Sequence, residues 1–161
     1  MKRAIILTAL LIFSTISIFS IPREETMNNN HVKLNTIRLI KKMYNGNPDL
    51  ADHIFHKECI HHVNGVTEEG KGPEAIKKSL TQMGIQFKQS KTVFTEIFGS
   101  GNSVAVRWTW TAVQIQSGKK WTFNGNSIFH LKDGKVVEYW AIDDRLREMT
   151  THGFTIAPPQ K

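Results

Sequence analysis

Hydrophobic and polar positions divide the chain into a helical half and a strand half. From Leu34 the apolar residues recur at Ile37, Ile40, Met43 and Tyr44, the spacing of one helical face, until Gly46 and Pro48 break it. Asn28-Asn29-Asn30 stands ahead of this helix as a source of an N-cap. A second, short helix is predicted over Asp49 to Phe55, because Leu50, Ile54 and Phe55 share a face. Cys59 to Val63 reads as a short strand and Asn64 to Gly72 as a polar loop. Pro73-Glu74 opens a third helix through Ile76, Leu80 and Met83, with Gly84 placed beyond its end.

After Gly84 the period changes to two. Phe87 to Phe98, Ser103 to Gln116, Lys119 to Lys132 and Lys135 to Asp143 are β-branched and aromatic runs separated by Gly and Ser turns, and they predict successive antiparallel strands. In the second run Val104, Val106, Trp108 and Trp110 fall on one face and Arg107, Thr109 and Thr111 on the other. Helices first and a strand meander second predict an α+β layering with the helices on one face of a curved sheet.

The first 20 residues change the picture of the ends. Met1-Lys2-Arg3 precedes an uncharged stretch from Ala4 to Ser20, and Pro22-Arg23-Glu24-Glu25 turns polar, the layout of a secretory signal peptide. Its apolar core of about 17 residues is short against the roughly 20 of a membrane helix, so cleavage after Ser20 with no stable span is expected, and an uncleaved N-terminal anchor is the alternative because Ile18 is a poor partner for Ser20 at a cleavage site. The expected organisation is a signal peptide over 1–20, a flexible lead over 21–30, one domain over 31–150 and a tail over 151–161, in a periplasmic or secreted protein. Losing Lys2 and Arg3 lowers the net charge of +7 by two, and no Lys/Arg block or zinc-finger spacing accompanies the excess, which argues against a nucleic-acid partner. The single cysteine, Cys59, excludes an internal disulfide framework. His53, His56, Cys59, His61 and His62 are the densest group of metal-ligating types, but His61 and His62 point to opposite faces of a strand, and no metal site is expected.

Three strings carry a resemblance: Gly72-Pro73-Glu74-Ala75-Ile76, Val104-Ala105-Val106-Arg107-Trp108-Thr109-Trp110-Thr111, and Ser127-Ile128-Phe129-His130 followed by Asp133-Gly134-Lys135-Val136-Val137-Glu138-Tyr139-Trp140. In this order they resemble the SnoaL-like polyketide cyclase, or ester cyclase, family of the nuclear transport factor 2-like superfamily, over about Leu34 to Met149. The resemblance implies a cone: a strongly curved antiparallel sheet closed by three N-terminal helices around a deep apolar pocket. It also implies a small hydrophobic ligand and acid/base chemistry without metal or organic cofactor, such as cyclisation, isomerisation or dehydration. Many relatives carry an aspartate directly after the tryptophan where this chain has Ala141, a departure that bears on cyclase chemistry itself.

The resemblance implies a catalytic pair of a strand histidine and a carboxylate 14 residues later, here Asp144 as base with His130 as the residue that orients a substrate carbonyl. Asp143 and Asp144 both stand between a strand and a short helical tail, Arg145 to Met149, where an aspartate also suits an N-cap. A three-residue loop, Lys132-Asp133-Gly134, would pair Leu131 with Lys135 and put His130, Glu138, Trp140 and Asp144 on one face. A two-residue loop would instead put His130 with Val137, Tyr139 and Asp143. The resemblance also implies a pocket-facing role for His62, which is similar to a histidine that family members carry just before the loop to the third helix; with Trp108, Trp110, Asn126, Glu138 and Trp140 it completes the expected ligand-binding set. The competing classes are a binding module without turnover and a homodimeric interaction domain built on the face of Arg107, Thr109 and Thr111.

Overall fold

A computed structural model describes residues 23–155 and 157. The signal segment predicted over 1–20 lies outside the described residues. Helix α1 (Arg23–Tyr44) is followed by a 3-10 turn (Pro48–Leu50), α2 (Ala51–Ile54), β1 (Phe55–Val63), β2 (Val66–Thr67) and α3 (Gly72–Gln86). Four long strands come next, β3 (Phe87–Ser100), β4 (Ser103–Gln114), β5 (Lys120–Lys132) and β6 (Lys135–Asp143), and α4 (Arg145–Thr151) ends the fold. The helical and strand halves stand where the periodicity put them. The larger differences are four: α1 starts at Arg23, so its first turns occupy what reads as a lead; β1 begins at Phe55; the short β2 forms within what reads as a polar loop; and Gly84 lies inside α3, while other ends shift by one or two residues.

One six-stranded sheet runs in the order β2-β1-β6-β5-β4-β3, antiparallel throughout except that β1 pairs with β6 in parallel. The sheet curls without closing, and the helices cover its concave face. Ile37, Ile40 and Met43 of α1 bury the predicted stripe against Phe55, Val106, Phe129 and Val136. At the other end Trp110, Trp121 and Phe123 form a second cluster, packed against Met83 and Phe87 and held from α4 by Met149. Two apolar clusters with different partners leave room between them. Among the described residues no helix is long and apolar enough to cross a membrane.

The inner face is fixed by strand parity. Even-numbered residues of β4 and odd-numbered residues of β5 point inward, pairing Val104 with Phe129, Val106 with Ser127, Trp108 with Gly125 and Trp110 with Phe123. At the β5–β6 hairpin Asp133 and Gly134 both have positive φ, +50° and +77°, so the loop has two residues, the type that matches strand twist. Lys132 therefore pairs with Lys135 and Leu131 with Val136, and a bulge then sets His130 opposite Glu138. The expected three-residue loop is not formed. The extra residue of the bulge, Val137, nevertheless restores one face for His130, Glu138 and Trp140, and it is the outer face.

Candidate functional site

The room between the two clusters is a cavity of about 580 Å³. That volume suits a drug-sized molecule. Trp108, Trp110, Phe123 and Phe129 supply aromatic walls, and α3 with residues 68–70 forms the roof. Trp110 stacks on Phe123 with ring centroids 4.9 Å apart and an interplanar angle of 8°, and Phe87 stands perpendicular to Trp110 with centroids 5.1 Å apart.

The polar groups of the wall come from four elements. Tyr44, at the last turn of α1, reaches Tyr139 of β6, hydroxyl to hydroxyl, at 3.3 Å. Burial raises the pKa of both phenols above the ordinary tyrosine value, so both are protonated near neutral pH. Trp108 donates its indole N–H to Ser127 Oγ at 2.9 Å. His61 of β1 is 2% exposed and packs edge-to-face against Tyr139, 6.1 Å between ring centroids. Its Nε2 is buried and has no hydrogen-bond partner among the described residues. Burial, and then the neighbouring His62, lower the His61 pKa, which keeps the imidazole neutral at pH 7.

Of the predicted ligand-binding residues, Trp108 and Trp110 line the cavity. His62, Glu138 and Trp140 are brought together on the opposite side of the sheet. His62 Nε2 lies 3.2 Å from Glu138 Oε1, its Nδ1 lies 2.9 Å from Thr67 Oγ1, and its ring stacks on Trp140 at 3.7 Å. Asn126 is on that outer face too, opposite Ile142. The expectation that His62 faces the pocket is therefore corrected: Phe55, Cys59 and His61 are the buried positions of β1, and His61 takes the place expected for His62.

The expected pair of Asp144 and His130 is not assembled. His130 Nδ1 lies 2.8 Å from Ser103 Oγ on the outer face, opposite Glu138. Asp144 stands six residues farther along than Glu138, about 20 Å at the strand rise of about 3.3 Å per residue. Its carboxylate accepts from the Asn124 backbone N–H at 2.7 Å and from Arg147 at 2.8 and 3.0 Å. Partial burial opposes its ionisation, but those bonds outweigh it and hold its pKa below the ordinary value. The inward carboxylate is Asp143, with a side chain 6% exposed against 31% for Asp144. Asp143 is occupied as well: Asn64 Nδ2 at 3.1 Å, the Arg145 backbone N–H at 3.1 Å and its guanidinium at 2.9 Å all donate to it. His61, Tyr44, Tyr139 and Ser127 were missed by sequence reasoning. For His61 a signal existed, since the odd-numbered apolar residues Phe55, Cys59 and Val63 mark the inner face of its strand.

The ligating types near the start of β1 scatter in the same way. His53 and His56 are exposed, Cys59 and His61 point in and His62 points out.

Fold likeness and sequence agree on the kin of this chain. TsrD from Streptomyces laurentii superposes with a TM-score of 0.68 at 20% identity, covering 76% of this chain and 96% of that one. IdmH from Streptomyces antibioticus gives 0.64 at 15%, covering 74% and 97%. A candidate SnoaL-like polyketide cyclase from Jannaschia Sp. CCS1 gives 0.68 at 19%, covering 80% and 94%. At these identities the likeness is one of fold. No curated protein matches the sequence. The profile of the SnoaL-like polyketide cyclases matches residues 35–151, well over half of the chain, and with the curled sheet and helical cover it places this protein: the chain belongs to the SnoaL-like polyketide cyclase family.

Proposed function

We propose that this protein is an exported domain that binds one small hydrophobic molecule in its cavity and moves a proton on it with side chains alone. The observation that carries the reading is the aromatic-walled cavity itself, which His61 lines beside the Tyr139 ring, with its buried Nε2 left without a hydrogen-bond partner among the described residues. A buried ring nitrogen left without a partner costs free energy, about 1 to 3 kcal/mol, unless a ligand engages it. A neutral imidazole with its proton on Nδ1 offers the Nε2 lone pair as a general base. His61 needs no partner displaced to act, whereas Asp143 would first have to shed three donors. Proton removal next to a carbonyl is the step common to cyclisation, isomerisation and dehydration of a small hydrophobic ketone. The competing reading keeps the cavity and the ligand without turnover.

Fluorescence titration with 2-tetralone, a bicyclic ketone of suitable size, tests the site. Saturable quenching of Trp108 and Trp110 at one equivalent is expected; quenching that never saturates would count against a ligand cavity. Export is supported by the charged start and uncharged stretch of the first 20 residues. N-terminal sequencing of protein from its native host is expected to begin after Ser20, and a chain beginning at Met1 would refute cleavage there.

A second reading concerns the outer sheet face. Ile128, Trp140 and Ile142 are 43%, 41% and 64% exposed, and Ile128 pairs directly with Trp140. A contiguous apolar row of this kind favours pairing with a second copy about a two-fold axis. Sedimentation equilibrium is expected to give a dimer that Ile128→Asp dissociates; a monomer at all concentrations would refute it.

A further inference from the structure

His62, expected in the pocket, stands on the outer face of β1 with both ring nitrogens and one ring face engaged. Its Nε2 lies 3.2 Å from Glu138 Oε1, its Nδ1 lies 2.9 Å from Thr67 Oγ1, and the ring stacks on Trp140 at 3.7 Å with 17° between the planes. A carboxylate only accepts, so Nε2 donates to Glu138 and Nδ1 accepts from the Thr67 hydroxyl. An imidazolium would donate at both nitrogens, so the link to Thr67 holds in either charge state. Glu138 and Trp140 belong to β6, inside the sheet, whereas Thr67 belongs to β2, the two-residue strand at its edge. His62 therefore ties the edge of the sheet to its interior.

The roof of the cavity continues from that edge. Asn64 and Gly65, with φ of +52° and +82°, make the two-residue turn between β1 and β2. Asn64 is fixed to β6 by its backbone N–H on the Ala141 carbonyl at 2.8 Å and by its side chain on Asp143. Along an antiparallel hairpin, pairs that exchange backbone hydrogen bonds alternate with pairs that do not. Val63 and Val66, next to the turn, are of the first kind, and so are His61 and Glu68, whose N–H donates to the His61 carbonyl at 2.8 Å. His62 and Thr67, between them, are of the second kind, so side chains alone join the strands there. Immediately beyond, Glu68, Glu69 and Gly70 line the cavity, and neither glutamate side chain has a hydrogen bond or ion pair among the described residues. The far end of this roof is fixed at Gly72, where φ is +62° and a Cβ would meet the Lys57 carbonyl. We propose that His62 is a positioning residue of the ligand site: through Thr67 it holds residues 68–70 down on the cavity and so sets how long a bound molecule stays. The inference rests on the reading of this cavity as a ligand site. It adds a latch that never touches the ligand, on the face of the sheet opposite the cavity.

The test on the full chain is Thr67→Val, which keeps the β-branched shape and removes the hydroxyl, with Thr67→Ser as the rescue. Dissociation of 2-tetralone, followed by recovery of tryptophan emission in stopped flow, is expected to quicken about two- to tenfold in Thr67→Val, the range of one hydrogen bond. It should return to the wild-type rate in Thr67→Ser. Hydrogen exchange at the Glu68 amide should rise by a similar factor while the amides of β4 and β5 keep their wild-type rates, which separates opening of the roof from loss of global stability. His62→Phe keeps a ring beside Trp140 and loses the bond to Thr67. It should release the ligand at least as fast as Thr67→Val, and adding Thr67→Val to it should change nothing further. Wild-type dissociation in Thr67→Val, with 2-tetralone still bound saturably, would overturn the latch and leave the cavity standing. Effects of the two substitutions that multiply in the double variant would overturn the link between the two residues. A wild-type chain that binds no 2-tetralone would refute the ligand cavity, and this inference with it.

Discussion

Gly125→Ala puts the packing beneath the site to a direct test. Gly125 lies inward on β5, paired with Trp108 of β4. A Cβ there would stand 2.3 Å from Trp108 Cζ2 and 2.6 Å from the Ile142 carbonyl oxygen. Ordinary carbon contacts are about 3.5 to 4.0 Å, so more than an ångström must be given up. The Ile142 carbonyl is backbone inside a sheet and yields little, so the indole has to move. Overpacking of this kind costs about 1 to 3 kcal/mol. Displacing the indole also breaks its bond to Ser127, worth about 1 kcal/mol. The two together predict a loss of about 2 to 4 kcal/mol, or about 5 to 15 °C in Tm. Urea melts followed by both far-ultraviolet circular dichroism and tryptophan emission measure it. Gly84→Ala is the control of opposite sign, because nothing lies within 4 Å of a Cβ there and the position is inside α3. It is expected to stabilise by about 0.5 to 1 kcal/mol. A Gly125→Ala protein within about 0.5 kcal/mol of wild type, with unshifted tryptophan emission, would refute the placement of the indole.

Three other outcomes are expected. Trp110→Ala should lose about 3 to 5 kcal/mol in denaturant melts, because the ring is 5% exposed and stacked on Phe123, whereas Thr109→Ala on the outer face should lose less than about 1. Cys59, fully buried and with its thiol pushed up to about 12 by burial and then by Glu138, should resist a thiol reagent at pH 8 in the native protein and react at one equivalent in urea; rapid native labelling would contradict it. His61 has a lowered folded pKa, so below about pH 6.5 the unfolded chain binds more protons at this site than the folded one. Stability should therefore fall as pH drops through that value, and His61→Gln should flatten the slope of Tm against pH.

The sequence was informative where alternation is unbroken. Val104, Val106, Trp108 and Trp110 announce the inner face of β4, and the paired structure keeps that face. The β6 strand was harder to read because Val136 and Val137 are both apolar, and nothing in their types marks the bulge that turns Tyr139 inward. Asp143 and Asp144 are chemically identical neighbours. Which one turns in depends on Asn64 and Arg145 drawing Asp143 inward, while Asn124 and Arg147 hold Asp144 outside. Tyr44 and Tyr139 meet across 95 residues, a contact set by sheet curvature rather than by any local pattern. Side-chain types are thus legible locally, and the site is assembled by register and curl.

The central claim is that His61, inside the cavity, takes a proton from a bound hydrophobic ketone. Deuterium exchange at the acidic C1 position of 2-tetralone in D2O, followed by proton NMR, tests it most directly. The wild-type chain is expected to accelerate exchange saturably, and His61→Gln to slow it by about 10²- to 10⁴-fold while still binding the ketone. Asp144→Asn, whose carboxylate is spent on Asn124 and Arg147, should retain the wild-type rate. Exchange that survives His61→Gln and is lost in Asp144→Asn would contradict the account.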